Sequence, residues 1–313
     1  MRNAYVEILL KCPLDCVFCS LGNRKEKGPT GEIEIKKYID KYAKDGCGKL
    51  MITGGEPLLH PRLPEFIRYA KEDAGFQDIA IQTGGTLVTK DIVEKLKDAG
   101  LSQLIFSIHS HKPEVVDELM RRKDVLKKQL NGLKNSIEAG LPTFVTTLVL
   151  KQNYRHLADF FRFMAKKFPH INHFTINYVD AVGHATENED VVPKYSESEL
   201  FLNQAFLMLT KFGKSFRFER VPLCYALEFA ENNTELRRII TDEQNEVSRH
   251  KNFTSYTKKY FKDEYVRGEA CGFCSLKGVC PGIDKHYAKL YGVDEVYPVF
   301  VDPQRIIERS GAD

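Results

Sequence analysis

From Ala4 to about Tyr178 the chain alternates short β-branched, apolar runs with longer stretches whose apolar residues recur every three or four positions. The first pattern predicts strands and the second amphipathic helices. Strands are expected at Tyr5–Leu10, Lys49–Thr53, Asp78–Gln82, Gln103–Ile108, Thr143–Leu150 and His173–Tyr178. Ile33, Ile35, Tyr38, Ile39 and Tyr42 set the apolar face of a helix after the first strand. Thr89 reads as the N-cap of a helix through Ile92, Val93 and Leu96, with Gly100 as its stop. Val125, Leu126, Leu130, Leu133 and Ile137 mark another, ended by Gly140, and Leu157, Phe160, Phe161 and Met164 mark the helix before strand six. Six strand–helix units in succession predict an α/β fold: a parallel sheet with helices outside, curled into a partial or full barrel. In such folds the site lies where the carboxyl ends of the strands run into their loops.

Beyond Gly183 the pattern breaks. Residues 186–196 are polar and read as a connector, followed by a helix with Leu200, Phe201, Phe206, Leu207 and Leu209 and a strand at Ser215–Glu219. Residues 231–268 are highly charged and read as helix or loop. Three parts are expected: a barrel over 1–185, a connector and bridging helix over 186–220, and a small cysteine-rich domain over 221–313.

At 313 residues, 42% hydrophobic and 28% charged, the chain has ordinary globular composition. Its net charge of +3 is too small and dispersed to argue for nucleic acid. No apolar run has the length of a membrane span, and Ala4–Leu10 is too short for a signal peptide, so a cytoplasmic location is expected.

The eight cysteines sharpen this picture. Cys12, Cys16 and Cys19 follow the first strand, Cys271, Cys274 and Cys280 stand together near the end, and Cys47 and Cys224 are isolated. Tight CxxxCxxC and CxxC groups without a secretion signal read as metal ligands in a reducing compartment. Zinc takes four ligands in a closed tetrahedron, and a lone three-cysteine loop leaves it one short. Three thiolates instead hold three irons of a 4Fe–4S cluster and leave the fourth iron open. Cys47 lies at the entry to strand two and reads as structural.

The Cys12–Cys19 run, with Phe18 before its last cysteine, resembles the signature of the radical S-adenosylmethionine superfamily. Gly54-Gly55-Glu56-Pro57 at the end of strand two is similar to that family's Gly-Gly-Glu-Pro motif. The resemblance covers residues 1 to about 185 and implies a partial (β/α)6 TIM-like barrel whose cluster chelates S-adenosylmethionine. It implies that Gly54–Pro57 hold the methionyl ammonium. It further implies that Thr83, Ser107, His109 and Asn153 at later strand ends contact the cofactor, and that Arg121 or Arg122 reaches its carboxylate. Gly183-His184-Ala185 looks like the family's Gly-Arg-Ala, with His in place of Arg. The chemistry implied is reductive cleavage to methionine and a 5′-deoxyadenosyl radical, which abstracts a substrate hydrogen. A flavodoxin or ferredoxin is the implied electron donor.

Cys271, Cys274 and Cys280, followed by Pro281-Gly282, are similar to part of the auxiliary-cluster domains called SPASM or twitch. With Cys224 as fourth ligand they imply a second 4Fe–4S cluster of the twitch kind; zinc suits the same four thiolates and stays open as an alternative. Substrate hydrogen abstraction then serves either a peptide maturase or a small-molecule dehydrogenase or rearrangement enzyme acting on a sugar, nucleoside or cofactor precursor. The cluster loop begins at residue 12, so a peptide would need a separate recognition protein or direct capture. The Gly-Gly C-terminus of the molybdopterin-precursor synthase is absent. A non-catalytic iron–sulfur or zinc protein is the contrasting expectation, and it would have no use for Gly54–Glu56.

Overall fold

The chain is described here from a computed structural model covering residues 2–22, 30–241, 244–249, 252–256 and 258–311. In chain order the elements are β1 (Arg2–Leu9), α1 (Glu32–Lys44), β2 (Lys49–Gly54), α2 (Leu63–Glu72), β3 (Asp78–Thr83), α3 (Lys90–Asp98), β4 (Gln103–Ser107), α4 (Pro113–Met120), α5 (Val125–Glu138) and β5 (Thr143–Val149). Then come α6 (Leu157–Lys167), β6 (His173–Tyr178), α7 (Tyr195–Lys211), β7 (Ser215–Glu219), α8 (Thr234–Thr241), β8 (Gln244–Arg249), β9 (Asn252–Tyr256), α9 (Lys258–Glu264), β10 (Tyr265–Val266), β11 (Ile283–Asp284), α10 (Lys285–Tyr291) and α11 (Pro303–Arg309). The six expected strand–helix units are present, and their strands fall within a few residues of the apolar runs.

Helix signals act as their chemistry requires. The Thr89 hydroxyl accepts from Ile92 N at 3.3 Å and opens α3, and Gly100 follows that helix at φ +96°, where a side chain would be strained. Helix α1 buries Ile35, Tyr38, Ile39 and Tyr42, but Ile33 is 87% exposed. At about 100° per residue, Ile33 falls opposite Ile35 and cannot share its face.

The chain packs as two compact units that do not follow sequence order. The first comprises residues 1–108, 112–146 and 244–255; the second comprises 109–111, 147–243 and 256–313. They cut across the sequence divisions at 185 and 220. In the first unit the strand order is β9-β8-β1-β2-β3-β4-β5, with β8, β1, β2, β3, β4 and β5 pairing in parallel. Parallel strands buried on both faces read as continuous apolar runs, which is why Ile8, Ile52, Ile79, Ile81, Leu104 and Phe106 are fully or almost fully buried. Strand β8 was expected as part of a helical or looped charged segment. Its sequence Gln-Asn-Glu-Val-Ser-Arg carries no strand signal, and its pairing with Arg2–Val6 supplies the conformation. Positions 242–243, 250–251 and 257 of that segment lie outside the described residues.

In the second unit β6 and β7 pair in parallel, and α6 and α7 pack together. A separate small core of Leu223, Ala230, Leu236, Leu276, Val299 and Ile306 gathers Cys224, Cys274 and Cys280 around it. Among the described residues no helix is long and apolar enough to cross a membrane.

Candidate active site and cysteine centre

In the first unit, the loop after β1 carries Cys12, Cys16 and Cys19, all partly buried. Two backbone bonds tie it to the end of α4: Asp15 N donates to Met120 O at 3.2 Å and Val17 N to Leu119 O at 3.0 Å. Cys16 Sγ lies 3.0 Å from Met120 Sδ. Arg121, in the left-handed region at the end of α4, pairs with Asp15 at 3.4 Å on an exposed surface. The arginine therefore faces the cysteine loop itself.

Gly54 and Gly55 hold the other side of that loop. Gly55 N donates to Leu9 O at 2.6 Å and Glu56 N to Lys11 O at 2.9 Å. A Cβ on Gly54 would stand 2.1 Å from Leu9 O, and one on Gly55 would stand 2.3 Å from both Leu10 O and Lys11 O. Gly54 also sits at φ +138°, so glycine answers both a conformational and a steric demand. These glycines lock the residues that lead into Cys12.

Glu56 is 1% exposed, and its carboxylate accepts from Thr83 Oγ1 at 2.8 and 2.9 Å, Gly84 N at 2.8 Å and Leu58 N at 3.2 Å. Burial raises its pKa, and the bonds from Thr83, Leu58 and Gly84 oppose that rise. Glu56 and Thr83 thus fasten the β2 and β3 ends to each other. Pro57 begins the short 3-10 turn that follows, and Ser107 Oγ accepts from Gln82 Nε2 at 3.3 Å at the β4 end.

Gln129 is a site residue that pattern reading missed. It is fully buried on α5, and its Nε2 donates to Gly84 O and to Ser107 O, both at 2.9 Å, clamping the ends of β3 and β4. Its Oε1 has no hydrogen-bond partner among the described residues. A glutamine on the face lined by Val125, Leu126 and Leu133 was the available signal: a polar residue where the period calls for an apolar one.

His109 and Asn153 belong to the second unit, and Asn153 binds the His109 backbone. Asn153 Nδ2 donates to His109 O at 2.7 Å and Leu148 O at 2.8 Å, and its Oδ1 accepts from Leu150 N at 2.8 Å. His109 Nδ1 accepts from Leu148 N at 3.0 Å, and complete burial lowers its pKa to about 3. His109 is therefore a neutral imidazole that shapes backbone. His184 is buried beside Ala185 in a short 3-10 turn after β6.

The second unit also brings Cys224, Cys271, Cys274 and Cys280 to one pocket, lined further by Leu223, Leu276 and Val296. Burial pushes the Cys224 thiol up to about 12, with Cys280 and Cys271 adding to the rise. Burial likewise raises Cys280, with Cys271 and Cys274 contributing. Val299 N donates to Cys274 Sγ at 3.4 Å, and the Tyr297 hydroxyl donates to Cys224 O. Among the described residues, three ligand atoms come within 4.8 Å of one another at Asp180, Asp284 and His286, and neither cysteine group is drawn in that tightly.

The Radical SAM superfamily profile matches residues 6–164, about half of the chain. The chain is 32% identical over 190 residues to an AdoMet-dependent heme synthase of Methanosarcina barkeri, covering 60% of this chain and 53% of that protein. It is 28% identical over 222 residues to a GTP 3′,8-cyclase of Nautilia profundicola, covering 69% and 65% respectively. The chain thus spans between half and two thirds of the length of these relatives. Among solved structures, Streptococcus suis SuiB bound to precursor peptide SuiA superposes with a TM-score of 0.68 at 17% identity, over 95% of this chain and 74% of that one. The anSMEcpe structure with bound AdoMet and Cp18Cys peptide gives 0.65 at 13% identity, over 99% and 96%. At these identities the likeness is one of fold.

Proposed function

The chain belongs to the radical SAM superfamily and is an enzyme, and we propose that it abstracts a hydrogen from a peptide substrate with the help of a second iron–sulfur centre. Membership of the family implies a 4Fe–4S cluster and S-adenosylmethionine. The donor set of Cys12, Cys16 and Cys19 fits such a cluster with one open iron. The Gly54–Gly55 cradle supports the same reading, because it holds the loop's approach to β2 at a distance no side chain permits. When bound, the pair supplies a 5′-deoxyadenosyl radical by one-electron cleavage of the sulfonium. The protein's own part is to hold the loop through Gly55, Glu56 and the end of α4, and to fix the β3 and β4 ends through Thr83 and Gln129. In this reading the β3 and β4 ends, with Arg121 and Asp15, face the cofactor.

The observation that carries the second centre is the convergence of Cys224, Cys271, Cys274 and Cys280 on one pocket. Four thiolates suit zinc as well as a cluster, and membership of an iron–sulfur family favours the cluster. A peptide substrate is favoured by the near-full-length fold match to SuiB and anSMEcpe, which spans the cysteine-rich segment as well as the barrel. The alternative, a small-molecule substrate, is favoured by the sequence relatives that are named as a cyclase and a heme synthase. A flavodoxin or ferredoxin is proposed as the donor. Anaerobic reconstitution followed by iron analysis tests the two centres: about eight irons per chain supports them, and about four leaves only the first. Incubation with synthetic peptides, read by mass spectrometry, tests the substrate class; turnover of a nucleotide or porphyrin precursor with no peptide change would replace the peptide reading.

A further inference from the structure

The turn after β5 carries Lys151, Gln152, Tyr154, Arg155 and His156, and with Glu197 on the first turn of α7 they line a cavity of about 520 Å³. All six residues belong to the second unit, and none of them lines the cysteine pocket. Ligand cavities run from about 300 to 1,000 Å³, so this one has room for a free amino acid or a dipeptide. Its walls are held by contacts of their own. Lys151 N donates to Val191 O at 3.0 Å, and Tyr154, 3% exposed, meets Phe201 of α7 edge to face with ring centroids 5.4 Å apart.

The lining offers both signs of charge with bonding capacity unspent. Arg155 Nε donates to the Tyr154 hydroxyl at 2.9 Å, and its guanidinium lies 5.4 Å from that ring's centroid. The buried tyrosine thereby orients the guanidinium, and neither Nη group makes a hydrogen bond among the described residues. Lys151 pairs at 3.6 Å with Asp190, whose side chain is 98% exposed, and so open a pair contributes little. On the α7 side the Glu197 carboxylate has no hydrogen bond or ion pair among the described residues. Gln152 Oε1 is shielded from water and likewise has no partner. An acceptor in that condition is costly, and a ligand N–H that reaches it removes the cost. Rotation about the last side-chain torsion turns the amide toward such a donor.

We propose that this cavity binds a small molecule carrying a free ammonium and a free carboxylate, an α-amino acid or a dipeptide. Arg155 and Lys151 take the carboxylate, the guanidinium through its two Nη groups. Glu197 and Gln152 Oε1 take the ammonium. A bare anion would meet the charge of Glu197, and a bare cation those of Arg155 and Lys151, so a zwitterion is the ligand that answers both signs. Bound there, it bridges the turn before α6 to the first turn of α7. The site goes beyond the proposed reaction and does not depend on it.

The test is isothermal calorimetry on the reconstituted holoenzyme. The probes are L-leucine, L-phenylalanine, L-lysine, L-glutamate and Gly-Phe, each beside its N-acetyl and its C-terminal amide derivative. At least one probe is expected to saturate below about 10 mM, and blocking either charged end to weaken it at least about tenfold. Tighter binding of Gly-Phe assigns a dipeptide, and tighter binding of an amino acid assigns the free amino acid. R155Q and E197Q should each weaken binding at least about tenfold. R155K, which keeps the charge and the fold but not the fork, should fall between R155Q and the wild type. K90Q, on the exposed face of α3, should bind as the wild type does. The titration is repeated on C12A/C16A/C19A, where binding that depends on Arg155 and Glu197 must persist, so a failure of the radical reading leaves this result standing. Four outcomes overturn the proposal: no saturation by any probe, equal binding of the blocked derivatives, wild-type binding by R155Q and E197Q, or binding lost with the first three cysteines.

Discussion

Replacing Gly55 with alanine presses the account at its tightest contact. The new Cβ would lie 2.3 Å from two carbonyl oxygens, Leu10 O and Lys11 O, and neither can rotate away because both are backbone. Ordinary contact needs about 1 Å more, so the β1 exit and the β2 turn must separate by that amount. Such a shift breaks the Gly55 N–Leu9 O and Glu56 N–Lys11 O bonds, at about 0.5–1.5 kcal/mol each. Overpacking adds about 1–3 kcal/mol, for a total of roughly 2–6 kcal/mol. The separation falls on Lys11, next to Cys12, and a site displaced by more than about 0.5 Å loses its productive geometry. Urea unfolding should register the stability loss, and reconstituted G55A should hold less iron and form 5′-deoxyadenosine at least about tenfold more slowly. Gly75→Ala is the control: its φ of +82° brings strain of about 1–2 kcal/mol but its Cβ meets nothing within 4 Å. G55A with wild-type iron and wild-type 5′-deoxyadenosine, at unchanged stability, would refute the cradle argument.

Three other outcomes follow from the same contacts. Gln129→Leu leaves Gly84 O and Ser107 O without their buried donor and should cost about 2–4 kcal/mol in denaturant unfolding, with weaker S-adenosylmethionine binding by calorimetry. Cys224→Ala should lower reconstituted iron by up to about four per chain; an unchanged iron content would remove it from the ligand set. Glu235 is fully buried, and desolvation first, then Glu219, raises it to about 7. The folded state therefore keeps a proton the unfolded chain has lost, and this group's contribution to stability declines as pH rises from the ordinary carboxylate range through about 7. Glu235→Gln should flatten that decline in melting temperatures between pH 5 and 8, and an unchanged slope would show that another group causes it.

The parts of the site that announced themselves in the sequence are those whose chemistry admits few substitutes. Three thiols in eight residues and a Gly-Gly-Glu-Pro turn after an apolar strand leave little other reading, and both lie in the first unit. Long-range partners were hidden. Gln129 acts through backbone carbonyls of β3 and β4, which no local pattern marks. Strand β8 is polar because pairing with β1, a contact across more than 240 residues, decides its conformation. Thr83, His109 and Asn153 were expected to face cofactor, yet Thr83 Oγ1 and the polar atoms of Asn153 are engaged by protein groups, and His109 is held through Nδ1. Strand-end position alone did not disclose these protein contacts. Asp180, Asp284 and His286 come together from three places in the chain, so each was visible alone and their meeting was not.

The most direct measurement of the central claim is 5′-deoxyadenosine released from S-adenosylmethionine and dithionite by the anaerobically reconstituted chain, beside a C12A/C16A/C19A variant. The account predicts steady formation by the native chain and none above background by the variant. Equal release from both, or none from a native chain that carries its iron, would contradict it.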